Sequence, residues 1–253
     1  MTTPGQGADP IPAATLVLFR AAAGAPELLF VERSRAMAFA GGALVFPGGR
    51  VDPGDRALAT AFAGDADDIA SRIAAIRETL EEVGVPIGLS SLAATHLARL
   101  REALHAGTTL GVALDAAGLA LSIADLVPFS RWCPSHAPAR IFDARFYLAE
   151  LPENAPIPVV DDTENVHVFW ASAQAVLDRA DAGLATIIYP TRRNLERLAQ
   201  FSSFAEAAAD AARYPLDVIT PWIEDRDGVA HLCIPDHLGY PVTAEPMRDV
   251  VRG

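Results

Sequence analysis

The residues best suited to chemistry lie together in residues 77–85 (RETLEEVGV). Glu78, Glu81 and Glu82 are separated by three and one positions, so they share one face if this segment is helical. Like charges three or four residues apart destabilise a helix by about 0.2–0.5 kcal/mol per pair, and Arg77 offsets only part of that. A divalent cation would remove the repulsion, because Mg²⁺ prefers oxygen ligands and is commonly held by a few carboxylates. The three glutamates could therefore hold Mg²⁺ or Mn²⁺, and a solvated acidic surface is the alternative interpretation that the helix alone leaves open.

A glycine-rich segment precedes this helix. Residues 43–46 (ALVF) have the apolar character of a short strand, and Pro47, Gly48 and Gly49 follow directly. The two glycines allow φ > 0 and a close approach of the backbone to a ligand. Residues 50–68 are rich in Gly, Pro and Asp and are predicted to form a loop. A strand, a glycine turn, a loop and a carboxylate helix, in this order, predict a cradle for a metal ion and a phosphate group.

The two segments together resemble the Nudix box, the motif G-x5-E-x7-R-E-U-x-E-E-x-G-U in which U is aliphatic. Its first glycine and its second half correspond to Gly49, Arg77, Glu78, Glu81, Glu82, Gly84 and Val85. Asp55 stands in place of the first Glu, and Thr79 stands in place of an aliphatic residue. The spacer, residues 56–76, has 21 positions instead of seven. These departures concern the loop between the two halves more than the helix.

The residues ahead of the box resemble one branch of that family, the coenzyme A diphosphatases, in which a long spacer is also found. Those enzymes carry an Arg-Ser pair and a later Gly ahead of Phe-Pro-Gly-Gly. Arg33, Ser34, Gly42 and residues 46–49 (FPGG) match this spacing, whereas Ala38 occupies the position of a basic or amide residue. The resemblance implies metal-dependent hydrolysis of the diphosphate bond of coenzyme A or an acyl-coenzyme A. The products would be 3′,5′-ADP and a phosphopantetheine.

The family resemblance also implies a role for each candidate residue. Glu78 and Glu82 would be metal ligands, and Glu81 would be a ligand or a base. Arg77 would position these carboxylates. In Nudix enzymes a further Glu from a later loop sometimes orients or deprotonates the attacking water, and Glu164 is the candidate here.

Arginine must bind any substrate phosphate that needs a side-chain cation, because the chain contains no Lys. The substrate-binding candidates are Arg33, Gly48, Gly49, Arg50, Arg131 and Arg140. For each Arg the alternative is an ordinary structural or surface role.

Two other functions stay open. Within the same chemistry, the substrate could be ADP-ribose or a dinucleotide instead of coenzyme A. In a different class, the chain could be a non-catalytic ligand-binding or regulatory protein with the same fold. The three glutamates argue against the second alternative, since a binding protein has no need to keep all of them.

Composition excludes several other classes. Twenty Arg against 32 acidic residues give a net charge of −12, which argues against binding to nucleic acid or to anionic membranes. The absence of Lys excludes a phosphate-binding loop of the G-x-x-x-x-G-K type and a Schiff-base lysine. We expect Cys133 and Cys233 to be free thiols, and residues 1–14 carry no pattern of a signal peptide. We expect a cytoplasmic protein that acts on a small nucleoside diphosphate derivative; a homodimer stays open.

Short apolar strands alternate with amphipathic helices along the chain, which predicts the α/β class. Together with the resemblance, this implies a Nudix-like α/β/α sandwich with a mixed sheet. Strands are predicted at 14–19, 27–32, 43–46, 124–130, 141–148, 165–170, 218–224 and 229–234. Helices are predicted at 69–83, 91–106, 109–117, 172–182, 190–198 and 204–212.

The helix at 69–83 is expected to begin at Asp67 or Asp68 and to end at Gly84. We predict one domain over residues 1–253, with a flexible lead at 1–12, a helical insertion at 90–120 and extra C-terminal elements.

Overall fold

The fold is mixed α/β, as the sequence predicts. The computed structural model describes residues 9–36, 40–89, 92–134, 140–160 and 165–250. Within them lie an eight-stranded mixed sheet, helices on both of its faces and a separate three-stranded antiparallel sheet. No helix among these residues has both the length and the apolar composition needed to cross a membrane.

The bounds of the elements follow the chain in order. The strands are β1 (Ile11–Arg20), β2 (Glu27–Arg33), β3 (Leu44–Val45), β4 (Gly48–Arg50), β5 (Val127–Trp132), β6 (Phe142–Glu150), β7 (Asn165–Ser172), β8 (Val218–Ile219), β9 (Trp222–Arg226), β10 (Val229–Cys233) and β11 (Ala244–Pro246). The helices are α1 (Pro53–Ala59), α2 (Ala66–Val83), α3 (Ala94–His105), α4 (Leu110–Ala117), α5 (Ala173–Asp181), α6 (Tyr189–Leu198) and α7 (Phe204–Ala211).

The strand β1 is central to the main sheet. It pairs antiparallel with β2 and β4 and parallel with β6, and the strand order is β3-β2-β1-β6-β5-β8. The strand β7 pairs antiparallel with β2. The strands β1 and β2 form a hairpin whose turn contains Gly24 and Pro26.

Successive residues of β1 face opposite layers, as the two-residue period of a strand requires. Val17 and Phe19 pack in one core with α5, α6 and α7. Leu16 and Leu18 pack in a second core with α2. The sheet is therefore covered by helices on both sides, and the α/β/α sandwich is confirmed.

The helices α3 and α4 form the predicted insertion and pack on the far side of α2. Leu100 and Leu104 of α3 share a third core with Ile73 and Leu80 of α2. The helix α2 is thus packed between the main sheet and the insertion, which fixes its position on two sides.

The start of α2 differs from the prediction by one turn. Gly84 ends the helix in the left-handed region, with φ 69°, as expected. At the other end, however, the side chain of Asp65 accepts a hydrogen bond from the backbone N–H of Asp68 at 2.7 Å, so Asp65 is the N-cap. The prediction that Asp67 or Asp68 caps the helix is wrong, because both lie inside its first turn.

Two further predictions are wrong in detail. The expected strand at 218–224 is two strands, because β8 joins β5 in the main sheet whereas β9 joins β10 in the small one. Pro221 lies at the break and has no backbone N–H to donate to a ladder. The strands β9 and β10 are joined by a turn at Asp227 and Gly228, with φ 54° and 81°. The predicted loop at 50–68 contains the helix α1.

Candidate active site

The short helix α1 positions the first acidic residue of the site. Pro53 occupies the first helical turn, where its missing N–H costs no hydrogen bond. The backbone N–H of Asp52 donates to Oδ2 of Asp55 at 2.8 Å, which closes the start of the helix. Asp55 is only 1% exposed and points toward α2. The Pro- and Gly-rich sequence of this segment suggests a loop, but those same residues begin a helix.

The guanidinium of Arg77 joins α1, β4 and α2. Its Nε and Nη2 donate to the two carboxylate oxygens of Asp55 at 3.0 and 2.9 Å, a bidentate pair. Nη2 also donates to the carbonyl oxygen of Arg50 at 2.9 Å. Nη1 donates to Oε1 of Glu78 at 2.9 Å and to Oε1 of Glu81 at 3.1 Å. Arg77 therefore contacts two of the three glutamates that it is predicted to orient.

The Asp55–Arg77 pair is buried and strongly ionic. Burial by itself lowers the pKa of Arg77, but the hydrogen bonds and charges of Asp55, Glu78 and Glu81 outweigh it and hold that pKa above its ordinary value. Arg77 is 7% exposed, so removing its partner would leave a buried charge. Asp55 thus provides the buried negative charge that holds Arg77 in place.

Glu82 lies on the other side of the cluster, against β4. Its Oε2 accepts a hydrogen bond from the backbone N–H of Gly48 at 3.2 Å, and the residue is 6% exposed. Burial and the neighbouring charge of Glu78 raise the pKa of Glu82 to about 8. The side chain of Asn165, the N–H of Gly48 and the charge of Arg33 partly oppose that rise.

The side chain of Asn165 lies close enough to Glu82 to lower its pKa. Among the described residues, however, neither the amide nitrogen nor the amide oxygen of Asn165 makes a hydrogen bond of good geometry. Asn165 is buried at the first position of β7. Nothing in the sequence marked it as a site residue. The only available signal was a polar residue at the start of an apolar strand.

Glu78 lies between Arg77 and the glycines of β4. Burial raises its pKa to about 7; Arg77 opposes the rise, and the charge of Glu81 adds to it. A Cβ atom at Gly49 would overlap the carboxylate of Glu78, and one at Gly48 would overlap the backbone of β1. Both glycines are therefore required by space, and neither has a positive φ. The expectation of a glycine turn is wrong, since Gly48 and Gly49 form the strand β4.

The cluster carries more negative than positive charge. Asp55, Glu78 and Glu81 form ion pairs with the guanidinium of Arg77, and Glu82 lies against Gly48 instead. In the part of the chain that the structure describes, no three acidic, His or Cys side chains already converge as a metal site. The donor set nevertheless fits a hard cation, because it consists of carboxylate oxygens. Burial and a neighbouring carboxylate raise the pKa of two of them, Glu81 acting on Glu78 and Glu78 acting on Glu82.

The remaining predicted site residues lie at different distances from this cluster. The charge of Arg33 acts on Glu82, and Arg50 is exposed while its carbonyl oxygen accepts from Arg77. Arg131 instead makes a bidentate pair with Asp143 on the neighbouring strand at 2.8 and 2.6 Å. Arg140 is exposed just before β6. The structure brings neither Arg131 nor Arg140 into contact with the three glutamates among the described residues.

Two residues of the sequence analysis fall outside the described ranges. Glu164, the candidate for orienting water, directly precedes Asn165 in the chain but is not among the described residues. Ala38, the departure from the coenzyme A pattern, also lies outside them.

Comparison with known proteins gives matches only at the level of solved structures. No family model matches the chain, and no curated protein does. A NUDIX hydrolase from Alicyclobacillus acidocaldarius is 30% identical, with a TM-score of 0.70 over 79% of this chain and 96% of that chain.

Two further matches are more remote. An Ap4A hydrolase from C. elegans is 19% identical over 78% of this chain and 98% of that chain, with a TM-score of 0.43. A MutT protein from Methanosarcina mazei is 15% identical over 77% of this chain and 97% of that chain, with a TM-score of 0.42. At those TM-scores the two carry no argument about function.

Proposed function

The chain belongs to the Nudix hydrolase family, and from this premise we propose that it hydrolyses the diphosphate bond of coenzyme A or an acyl-coenzyme A with Mg²⁺ or Mn²⁺. One observation carries the metal part of the proposal. Glu78 lies against Gly49 and Glu82 against Gly48 of β4, and the pKa values of these two glutamates are raised to about 7 and 8. The charges of Arg77 and Arg33 oppose these rises without cancelling them, and a divalent cation would compensate the remaining negative charge.

The chain's own residues determine how such an ion would be held. Glu78, Glu81 and Glu82 would supply the oxygen ligands, with Glu81 serving as ligand or base. When bound, a divalent cation neutralises diphosphate oxygens and acidifies water. Arg77 holds Glu78 and Glu81 through two hydrogen bonds, and the N–H of Gly48 holds Glu82. The fixed positions reduce the reorganisation that binding a metal ion and a substrate would require.

The candidates for binding substrate differ in how well their surroundings suit that role. Arg33 is the best placed, because its charge lies near Glu82. Gly48 and Gly49 bring the backbone of β4 against the carboxylates. We include Glu164 as the residue that orients or deprotonates water, since the next residue in the chain, Asn165, faces Glu82.

Three other candidate sites are less well placed. Arg50 is exposed beside the cluster and would bind phosphate from the open side. Arg131 is already paired with Asp143, so Arg131 and the exposed Arg140 would bind only a distant part of a long substrate.

Membership of the Nudix family also supports the proposal of one domain over residues 1–253.

The choice of coenzyme A rests on the residues ahead of the box. The N–H of Arg33 donates to the carbonyl of Ala43, and the N–H of Gly42 donates to the carbonyl of Arg33, both at 3.0 Å. This pairing of β2 with the chain before β3 fixes the spacing of Arg33 and Gly42. The charge of Arg33 acts on Glu82, and its planar guanidinium can donate two parallel hydrogen bonds to a phosphate.

The proposal is tested with a panel of diphosphates, each assayed with Mg²⁺, with Mn²⁺ and with EDTA. We expect coenzyme A to be cleaved to 3′,5′-ADP and phosphopantetheine only when metal is present. Dephospho-coenzyme A lacks the 3′-phosphate, so one charge-assisted hydrogen bond would be lost. Such a bond contributes about 1.5–3 kcal/mol, which corresponds to a loss of roughly ten- to a hundredfold in kcat/KM.

The outcomes separate the two levels of the proposal. If dephospho-coenzyme A or ADP-ribose is cleaved as efficiently as coenzyme A, the coenzyme A assignment fails and the diphosphate chemistry survives. If no diphosphate in the panel is cleaved with either metal, the proposed chemistry fails as well.

A further inference from the structure

The end of α2 is held by a residue of the inserted helices. The last four carbonyl groups of any α-helix have no partner within the helix and must find one elsewhere. In α2 these belong to Leu80, Glu81, Glu82 and Val83. Two of the four are the carbonyls of proposed metal ligands. The hydrogen bonds made by these carbonyls therefore affect the positions of Glu81 and Glu82.

Each of the four carbonyls has an identifiable partner. The N–H of Gly84 donates to Leu80 at 3.0 Å, the ordinary bond of a helix that ends in a left-handed residue. The N–H of Val159 donates to Val83 at 3.0 Å. The two remaining carbonyls are those of Glu81 and Glu82, and both accept from the side chain of Arg101.

Arg101 lies on α3 and reaches α2 with two nitrogens. Its Nε donates to the carbonyl of Glu81 at 2.9 Å, and its Nη2 donates to the carbonyl of Glu82 at 3.0 Å. Nη2 also donates to the carbonyl of Val159 at 2.9 Å. A positive charge at the C-terminal end of a helix is further stabilised by the helix dipole.

Gly84 leaves space for the guanidinium of Arg101, and buried leucines hold the helix from which Arg101 extends. A Cβ atom at Gly84 would approach Nη1 of Arg101 to 3.3 Å, so the glycine that ends α2 also gives the guanidinium its space. Leu100 and Leu104, which flank Arg101 on α3, are buried against α2. The backbone of α3 is therefore anchored, and the side chain of Arg101 is directed at the last turn of α2.

We infer that Arg101 is a positioning residue of the carboxylate site: it fixes the backbone of Glu81 and Glu82 and ties the chain at Val159 to the same helical turn. The inference rests on the proposed metal-binding role of those glutamates. Helix ends fray readily, and here the final turn carries two of the three ligands. Arg101 prevents that fraying and gives the inserted helices a role in the site.

The variants Arg101→Lys and Arg101→Gln test this inference. Lys keeps the positive charge at the helix end but lacks the planar fork that reaches two carbonyls. Gln removes the charge and can donate only from one nitrogen. The matched control is Arg99→Gln, which changes the same charge on the same helix at an exposed position. Glu82→Gln serves as the control for the metal site itself.

The probe is Mn²⁺ alone, without substrate, added to each folded variant. Electron paramagnetic resonance gives the fraction of Mn²⁺ bound, and the line shape of the bound ion reports the arrangement of its ligands. Both Arg101 variants should weaken Mn²⁺ binding by about 10- to 100-fold, the range typical of groups that orient metal ligands, and should alter the line shape. Arg99→Gln should bind as the wild type does. Circular dichroism checks the fold, and Arg101→Lys decides alone if Arg101→Gln does not fold.

The outcomes distinguish this inference from the proposed function. If Glu82→Gln weakens Mn²⁺ binding while both Arg101 variants match the wild type in affinity and line shape, the positioning role is refuted and the metal site survives. If Glu82→Gln itself leaves Mn²⁺ binding unchanged, the metal site fails, and the role of Arg101 fails with it.

Discussion

Replacing Glu82 with Gln should flatten the pH dependence of stability when the protein is kept free of divalent metal. Burial and the charge of Glu78 raise the pKa of Glu82 to about 8, and burial raises that of Glu78 to about 7. A Glu in an unfolded chain has a pKa of about 4.3. Each bound proton therefore stabilises the folded state fully below about pH 4.3, and that stabilisation is lost as the pH rises through the folded-state pKa.

The size of the effect follows from the same two pKa values. For Glu82 alone the loss is about 1.4 kcal/mol for each pH unit between them, so about 3 kcal/mol between roughly pH 5 and pH 7 is an upper bound. Gln cannot ionise, but its side-chain oxygen can still accept the hydrogen bond that Gly48 donates to Glu82 at 3.2 Å. The free energy of unfolding should therefore fall less steeply with pH in Glu82→Gln than in the wild type.

The assay is urea unfolding in EDTA at a series of pH values between about 5 and 8, analysed by linear extrapolation. Glu153→Gln, an exposed loop position, is the matched control and should follow the wild-type curve. Adding Mn²⁺ should stabilise the wild type at the high-pH end, because the ion binds the ionised carboxylates of the folded state. Parallel curves for the wild type and Glu82→Gln in EDTA would refute the burial argument for this carboxylate.

Three further predictions concern other parts of the structure. Gly49→Ala should displace the carboxylate of Glu78 and abolish turnover. The control is Gly111→Ala, where a Cβ meets Leu58 at an ordinary 3.5 Å; this variant should keep activity and add about 0.5–1 kcal/mol of stability. Equal activity in the two variants would contradict the steric argument. Asp55→Asn should lower the free energy of unfolding by about 3–5 kcal/mol, because it leaves the buried Arg77 without its main partner. Asp52 is half-exposed and 3.8 Å from Arg77, so Asp52→Asn should cost less than about 1 kcal/mol. Urea unfolding of both variants measures the difference. Thiol titration after denaturation without reductant should find both Cys133 and Cys233 reactive; finding neither would indicate a disulfide between them.

Local sequence patterns were sufficient for much of the framework. Ile69, Ile73, Ile76, Leu80 and Val83 recur at helical spacing and predict the buried face of α2. The same spacing places the three glutamates together on that helix. The Gly that ends α2 could be predicted because the left-handed backbone conformation strongly favours that residue type.

The errors arose where distant residues decide the structure. Gly48 and Gly49 are typical of a turn, but they form a strand that pairs with β1. Glycine is required there because β1 and Glu78 leave no space for a Cβ atom. Arg101 donates to backbone carbonyls of α2, and every residue has such a carbonyl, so the residue types of α2 do not reveal the contact. Such contacts depend on how α3 docks, and the pattern of either helix alone does not determine that docking.

The measurement that tests the central claim most directly is the Mn²⁺ dependence of diphosphate hydrolysis in Glu78→Gln and Glu82→Gln, compared with Glu153→Gln. Coenzyme A and the other diphosphates of the panel serve as substrates. If α2 holds the catalytic metal, kcat should fall by more than about a hundredfold in the first two variants at saturating Mn²⁺, beyond the loss typical of residues that only support metal ligands. Glu153→Gln should turn over at the wild-type rate. Near-normal turnover in Glu78→Gln or Glu82→Gln would contradict the assignment of the carboxylate helix as the metal site.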